Sequence, residues 1–108
     1  MKLLKPEFSH TDNRRTLTQL LTSDIKQVNL YECHYGAELG NHFHKKTIEL
    51  FYIINGVLIY NKKRILRKGD LFSVEPVEKH SLLVKSDKAT FMTFLTKSYS
   101  KEDTDTYE

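Results

Sequence analysis

GAELGNHFHKKTIELFYIING, residues Gly36 to Gly56, is the stretch whose reading decides the fold. Two histidines, His42 and His44, stand one residue apart, Glu49 follows five positions after His44, and a glycine closes each end. On a strand, residues i and i+2 share a face, with Cα atoms about 6.6 Å apart (two rises of ~3.3 Å). His42 and His44 are therefore expected to converge from one side on a common point, which suits two imidazoles on one metal ion. Glu49 lies at the head of IELFYIING (Ile48 to Gly56), apolar at nearly every position, so both faces of that strand should be covered. An ionised carboxylate among Ile48, Leu50, Phe51 and Tyr52 is costly unless it is paired or ligated. A fourth ligand must come from elsewhere, and His80, between the turn VEPVEK and an apolar strand, is the candidate. Three neutral nitrogens and one carboxylate suit a divalent transition ion: manganese, iron, cobalt, nickel, copper or zinc. They do not suit calcium or magnesium, which prefer oxygen shells. His10, in a polar segment, and His34, with no ligand-type spacing, are read as ordinary surface residues.

Outward from that stretch, most segments read as short strands. QVNLYECHY (Gln27 to Tyr35) alternates, with Val28, Leu30 and Glu32 against Asn29, Tyr31 and Cys33. VLIYNKKRILRKGD carries a turn at Asn61 to Lys63 between two β-rich runs. LFSVEP, HSLLVKS and ATFMTFLTK complete the series with β-branched and aromatic residues. In DNRRTLTQLLTSD (Asp12 to Asp24), Leu17, Leu20 and Leu21 fall at helical spacing, but Thr16 and Thr18 favour a strand, which is the expectation. Turn signals recur along the whole chain with no long amphipathic helix, the pattern of an all-β sandwich or barrel.

The 108 residues make one domain's worth of sequence, with a core small enough that a partner subunit is expected to support it. Hydrophobic residues are 39% and charged residues 29%, a globular rather than a disordered balance. The single cysteine, Cys33, excludes an internal disulfide, fits a reducing compartment and reads as a small buried apolar residue. MKLLKPEF is too short in apolar residues for a signal peptide, and no run approaches the ~20 residues that span a bilayer. A cytoplasmic protein with no membrane partner is the expectation. Net charge is +3, with five basic residues in the seven of KKRILRK (Lys62 to Lys68). With no aromatic or helical recognition pattern beside it, that run is read as a solvated edge hairpin that resists aggregation, and no nucleic-acid partner is expected.

The spacing Gly36, five residues, His42, one, His44, four, Glu49, six, Gly56 resembles the first motif of the cupin superfamily in every fixed position. GDLFSVEPVEKH resembles the second, with Gly69, Asp70 and His80 in place, and with Glu75, Val77 and Val84 departing from the usual proline, glycine and asparagine. The resemblance implies a double-stranded β-helix, the jelly-roll barrel, as a single domain over residues 1–108. Its core would run over about 25–97, with an N-terminal strand segment at 12–22 and an acidic tail at 98–108. In metal-binding cupins the matching residues, here His42, His44, Glu49 and His80, hold the ion.

A narrower likeness joins DNRRTLTQLL and KQVNLYECHYGAELGNHFHKK to the cupins that process sugar nucleotides in capsular and O-antigen polysaccharide biosynthesis. Asp12, Arg14, Gln27, Asn29, Gly40 and His42 carry over by position, and the ending DTDTYE is similar too. Arg15 replaces a glycine, and Leu39 replaces an arginine that in relatives helps hold the nucleotide phosphates. The resemblance implies an isomerase or epimerase of a keto-sugar, nucleotide-linked, acting through metal-assisted enolisation. Arg14, Gln27 and Tyr52 are the expected substrate contacts, and Tyr31, Tyr35 and Tyr52 sit on strands able to face a cavity; no residue is named as the base. Three alternatives stay open: a metal-free epimerase with His42 itself as the base, an iron-dependent dioxygenase-type cupin, and a non-enzymatic module that binds a small sugar. A homodimer is expected, because Leu50, Tyr52 and Ile54 would form an apolar outer face if Glu49 points inward.

Overall fold

The alternating and apolar runs form strands throughout, in a computed structural model that describes residues 1–108. In chain order these are β1 (Lys2–Leu4), β2 (Phe8–Thr11), β3 (Thr16–Gln19), β4 (Gln27–His34), β5 (Glu38–His42), β6 (Glu49–Asn55), β7 (Val57–Tyr60), β8 (Arg64–Arg67), β9 (Leu71–Val74), β10 (His80–Val84) and β11 (Lys88–Leu95). A five-stranded sheet, ordered β1-β9-β6-β11-β4, faces a four-stranded sheet, ordered β5-β10-β7-β8, with every pairing antiparallel. The two sheets enclose the core of a jelly-roll barrel, and β2 and β3 make a separate hairpin. No helix is long and apolar enough to cross a membrane.

Alternation decides which side chains fill the barrel. From β6 and β9 come Phe51, Ile53, Phe72 and Val74, from β11 Phe91, and from the facing sheet Leu58, Tyr60, Leu66, Leu82 and Val84. Phe51 and Phe72 stack with centroids 4.8 Å apart, and Tyr60 meets Phe72 edge-on at 5.9 Å. Fully burying side chains of this size contributes roughly 1.5–3 kcal/mol each. The core fills one end of the barrel and leaves the other, nearer β5 and the start of β6, open for polar groups.

On β4, whose alternation left open which set is inside, Val28 and Leu30 are 51% and 57% exposed, while Gln27, Asn29, Tyr31 and Cys33 turn inward. Gln27, Asn29 and Tyr31 line a cavity at that end of the barrel. Two expectations are corrected. On β6, Glu49, Phe51 and Ile53 point inward as expected, but the opposite face is largely covered within the chain: Leu50 is 7% exposed and Tyr52 and Ile54 are half-buried. In the large sheet, β4 therefore leaves more apolar surface in water than β6 does. Residues 1–11, in which no strand was expected, contribute β1 to the large sheet and β2 to the hairpin, while the strand expected within 12–22 forms as β3. The expected turn at Asn61 to Lys63 does join β7 to β8, and KKRILRK does supply an edge strand.

Candidate metal centre

The site begins with a kink in the chain. At the end of β5, Gly40 and Asn41 both take positive φ (80° and 64°), and β10 has a bulge between His80 and Ser81 opposite them. A Cβ on Gly40 would lie 2.9 Å from the His80 carbonyl oxygen, so glycine lets the two backbones meet. This close approach pairs His42 with His80 in register, and their rings touch edge-on at 4.5 Å. Gly40→Ala adds backbone strain to a steric clash and is expected to destabilise the protein by roughly 2–4 kcal/mol. Because it displaces His80, it should also weaken metal binding; urea unfolding and metal titration of the same variant measure both.

His44 lies just past β5, with its ring 5.0 Å from that of His42 and 5.3 Å from that of His80. Glu49, the first residue of β6, reaches across from the opposite sheet. Its Oε1 accepts a hydrogen bond from His44 Nε2 at 3.1 Å and lies 3.4 Å from His80 Nε2. Ligand atoms of His42, His44, Glu49 and His80 all lie within 4.8 Å of one another. Donors bound about 2.0–2.2 Å from one ion sit roughly 3–4 Å apart, so small side-chain rotations close this set around a cation. His44, Glu49 and His80 are buried, and His42 is half-buried at the cavity edge.

Backbone carbonyls fix how two of the rings face. His44 Nδ1 donates to the Asp105 carbonyl at 2.8 Å, and His80 Nδ1 donates to the Glu78 carbonyl at 3.3 Å. Each bond leaves Nε2 toward Glu49, the arrangement by which outer partners orient histidine ligands. Donor chemistry, spacing and orientation all fit a first-row transition ion.

Electrostatics agree with a site built for positive charge. Burial opposes the Glu49 carboxylate, yet hydrogen bonds from His44 and His80 outweigh it and hold its pKa down at about 2. The bond to Glu49, working against burial, raises His44, whereas burial and the neighbouring His80 and His44 lower His42. Asp105 is also held down at about 2, its burial outweighed by hydrogen bonds from Thr47 and the backbone of residues 45–47. Both carboxylates are depressed in the folded state, so each contributes stability above its ordinary range that is lost as pH falls through the folded value. The metal-free protein is therefore expected to lose stability steeply as pH falls from about 4.5 toward 2, with a shallower slope in Glu49→Gln, read from urea midpoints across that range.

The cluster forms one wall of a cavity of about 340 Å³. Gln27, Asn29 and Tyr31 supply polar groups, Leu39, Leu82 and Phe91 supply apolar wall, and no lysine or arginine lines it. Tyr31 stacks on Phe91 at 4.6 Å; burial and the Glu49 charge raise its pKa, so the phenol keeps its proton and can donate.

The four expected ligands thus come together, and Gln27 and Tyr31 face the cavity. Two expected substrate contacts do not. Arg14 sits in the β2–β3 turn, 74% exposed and held by the Asp12 carboxylate at 3.0 Å, because the hairpin stands apart from the barrel. Tyr52 alternates with Phe51 and Ile53 and so points away from the interior. Tyr35, past the end of β4, is 66% exposed. Sequence reasoning missed Asp105, Tyr99 and Thr106, the last two in the cavity wall. Only the likeness of the ending DTDTYE hinted at that segment.

Residues 29–96 match the Cupin domain family. The chain is 26% identical over 111 residues to UDP-2-acetamido-2,6-beta-L-arabino-hexul-4-ose reductase of Pseudomonas aeruginosa, covering 91% of this chain and 30% of that protein. Its fold is similar to that of the capsular polysaccharide assembling protein CapF of Staphylococcus aureus, with a TM-score of 0.67 and 21% identity over 97% of this chain and 33% of that one. It is also similar to the QdtA 3,4-ketoisomerase of Thermoanaerobacterium thermosaccharolyticum, a double mutant in complex with TDP, with a TM-score of 0.76 and 19% identity over 96% of this chain and 83% of that one. The chain spans about a third of the length of the first two relatives. With a matched segment that runs from within β4 to just past β11 and so contains all four candidate ligands, the chain belongs to the cupin family.

Proposed function

We propose that the chain is a sugar-processing cupin that isomerises or epimerises a keto-sugar, nucleotide-linked, by moving a proton next to its carbonyl with the help of a divalent metal. The observation that carries this is the convergence of three imidazoles and one carboxylate within 4.8 Å on a cavity wall, with two rings already oriented by backbone carbonyls. His42, His44, Glu49 and His80 would hold the ion. When bound, it supplies positive charge beside a substrate carbonyl, where enolate charge develops.

The chain's own residues do the rest. Leu39, Leu82 and Phe91 exclude water from one side of the sugar, while Gln27 and Asn29 offer an amide pair, joined to each other at 3.1 Å, for its hydroxyls. Tyr31 keeps its proton and can hydrogen-bond a ring or carbonyl oxygen. With no cation in the wall, the cavity suits the sugar rather than its diphosphate, and the nucleotide would lie outside it. The likeness to a ketoisomerase solved with TDP supports the substrate class.

A metal-free epimerase is the second reading, and His42 favours it. That ring is the least buried of the cluster, and burial lowers its pKa, so it is a neutral base at the cavity edge. A homodimer belongs to both readings. It is supported by the outward Val28 and Leu30 of edge strand β4 and by a β2–β3 hairpin exposed at all eight residues.

The test is exchange in deuterated water. Protein purified without a histidine tag is incubated with a panel of nucleotide-linked keto-sugars, and deuterium at the carbon next to the carbonyl is followed by NMR. Exchange that stops on chelation and returns with added metal is expected. Exchange that survives chelation selects the metal-free reading, and iron-dependent oxygen uptake would select a dioxygenase. A sugar bound but never exchanged would leave a binding module.

A further inference from the structure

We propose that Asp105 is a positioning residue of the metal centre: it holds the His44 ring with Nε2 turned to the ion and pins the turn that joins the two ligand-bearing strands. The inference rests on the metal-binding reading above, and its test separates the two.

Asp105 lies in the acidic segment 98–108, yet it is 2% exposed. Its carboxylate accepts four hydrogen bonds from one short turn: the backbone N–H of Lys45 (3.0 Å), Lys46 (3.0 Å) and Thr47 (2.8 Å), and the Thr47 hydroxyl (2.7 Å). Its carbonyl accepts the His44 Nδ1–H at 2.8 Å. One residue therefore grips four consecutive positions between the end of β5, which carries His42, and the start of β6, which carries Glu49. A buried carboxylate is expensive unless its acceptors are filled, and here each is filled from that turn. With four donors on it, the Asp105 carboxylate is committed to the turn rather than free to act as a ligand.

The flanking contacts dock the segment at the same place. Phe43 and Tyr107 form an antiparallel bridge, with N–H···O distances of 2.8 and 3.0 Å, and their rings stack at 5.6 Å. Lys45 Nζ lies 4.3 Å over the Tyr107 ring. Thr106 and Tyr99 of the same segment line the cavity, and the Tyr99 N–H donates to Gln27 Oε1 at 2.9 Å. A segment 60 residues away in sequence thus supplies an orienting bond to one ligand, a clamp on the turn and part of the ligand wall.

A neutral imidazole carries its proton on one nitrogen only, and the partner of that nitrogen decides which. In the metal-free site the Asp105 carbonyl and the Glu49 carboxylate both draw on His44 protons. Once a cation takes the place of the proton on Nε2, the Nδ1–H on the Asp105 carbonyl fixes the ring with its Nε2 lone pair on the ion. Loss of an outer partner of this kind typically lowers metal affinity 10–100-fold.

The variants are chosen around the backbone. Asp105 has φ +47°, a region that glycine adopts freely and asparagine tolerates. Asp105→Gly removes the carboxylate that clamps the turn without straining the chain, while keeping the carbonyl that accepts from His44. It therefore tests whether the clamp holds that carbonyl in place. Asp105→Asn keeps one amide oxygen for the turn. Zinc is titrated into each protein against a competing chelator. Solvent exchange of the His44 Nδ1–H is followed in zinc-loaded, ¹⁵N-labelled protein, and exchange of the amides of residues 45–47 in metal-free protein.

Wild type is expected to show a protected His44 Nδ1–H in the zinc-loaded protein and slow amide exchange at Lys45 to Thr47. Asp105→Gly should bind zinc 10–100-fold more weakly and lose both protections, with Asp105→Asn in between. Wild-type zinc affinity with an unchanged His44 Nδ1–H in folded Asp105→Gly would overturn the proposal. So would fast exchange at residues 45–47 of the wild type, which decides even if Asp105→Gly fails to fold. A wild type with slow amides that binds no zinc would defeat the metal reading instead, reducing Asp105 to a fold contact.

Discussion

His80→Ala is expected to empty the metal centre, lowering metal content in untagged protein from about one per chain to a small fraction and deuterium exchange into substrate by about 10²–10³-fold. His80 is 3% exposed, and its ring contacts His42 at 4.5 Å and lies 3.4 Å from Glu49, so no other side chain can take its place. A bound ion stabilises the folded state by RT ln(1 + [L]/Kd), about 4 kcal/mol at a thousandfold excess over Kd. The rise in melting temperature on adding metal to wild type should therefore vanish in His80→Ala, while the metal-free melting points stay closer together. The same variant judges the metal-free reading: if His42 is the base and no ion is needed, His42→Ala abolishes exchange and His80→Ala largely spares it. A His80→Ala protein with wild-type metal content and exchange would remove His80 from the site altogether.

The sequence made the ligands legible because their spacing is local. His42, His44 and Glu49 fall within eight residues, and the apolar run after Glu49 made a lone carboxylate conspicuous. The route to convergence was less regular than simple alternation implied. His44 lies beyond the strand, and the positive φ of Gly40 and Asn41 turns the chain so that the rings still meet. Alternation on β4 left open which set lies inside, because hydropathy favours an apolar interior, whereas here Val28 and Leu30 face out and Gln27 and Asn29 line the cavity. Tyr52 was expected to touch substrate although alternation with Glu49 already put it on the outer face of β6, where the structure has it. Asp105 was invisible because its partners lie about 60 residues away and its neighbours in sequence form no periodic pattern. A bond between a side-chain nitrogen and a distant backbone carbonyl leaves no mark on composition or spacing.

Gly56→Ala is expected to be among the most damaging single substitutions in the barrel, destabilising it by roughly 3–5 kcal/mol or preventing folding. Gly56 lies between β6 and β7, where the chain leaves the five-stranded sheet for the four-stranded one, and it takes φ +90°. An added Cβ would sit 2.5 Å from the Lys88 carbonyl oxygen, 2.6 Å from Ala89 Cα and 2.7 Å from Ala89 Cβ. Two of those atoms are backbone of β11, which is held on both sides by β4 and β6 and cannot recede without breaking a ladder. Gly36, the other end of the same sequence motif, makes the comparison informative. It has φ +82° but open space where a Cβ would lie, so Gly36→Ala should cost only the strain of the left-handed backbone, about 1–2 kcal/mol. Urea unfolding of the two variants separates contact from conformation, since both carry the same dihedral demand. Equal losses would mean that backbone strain alone explains both positions and that β11 yields where its pairing says it should not. A loss at Gly56 larger by about 2 kcal/mol or more would tie the second glycine of the motif to sheet packing.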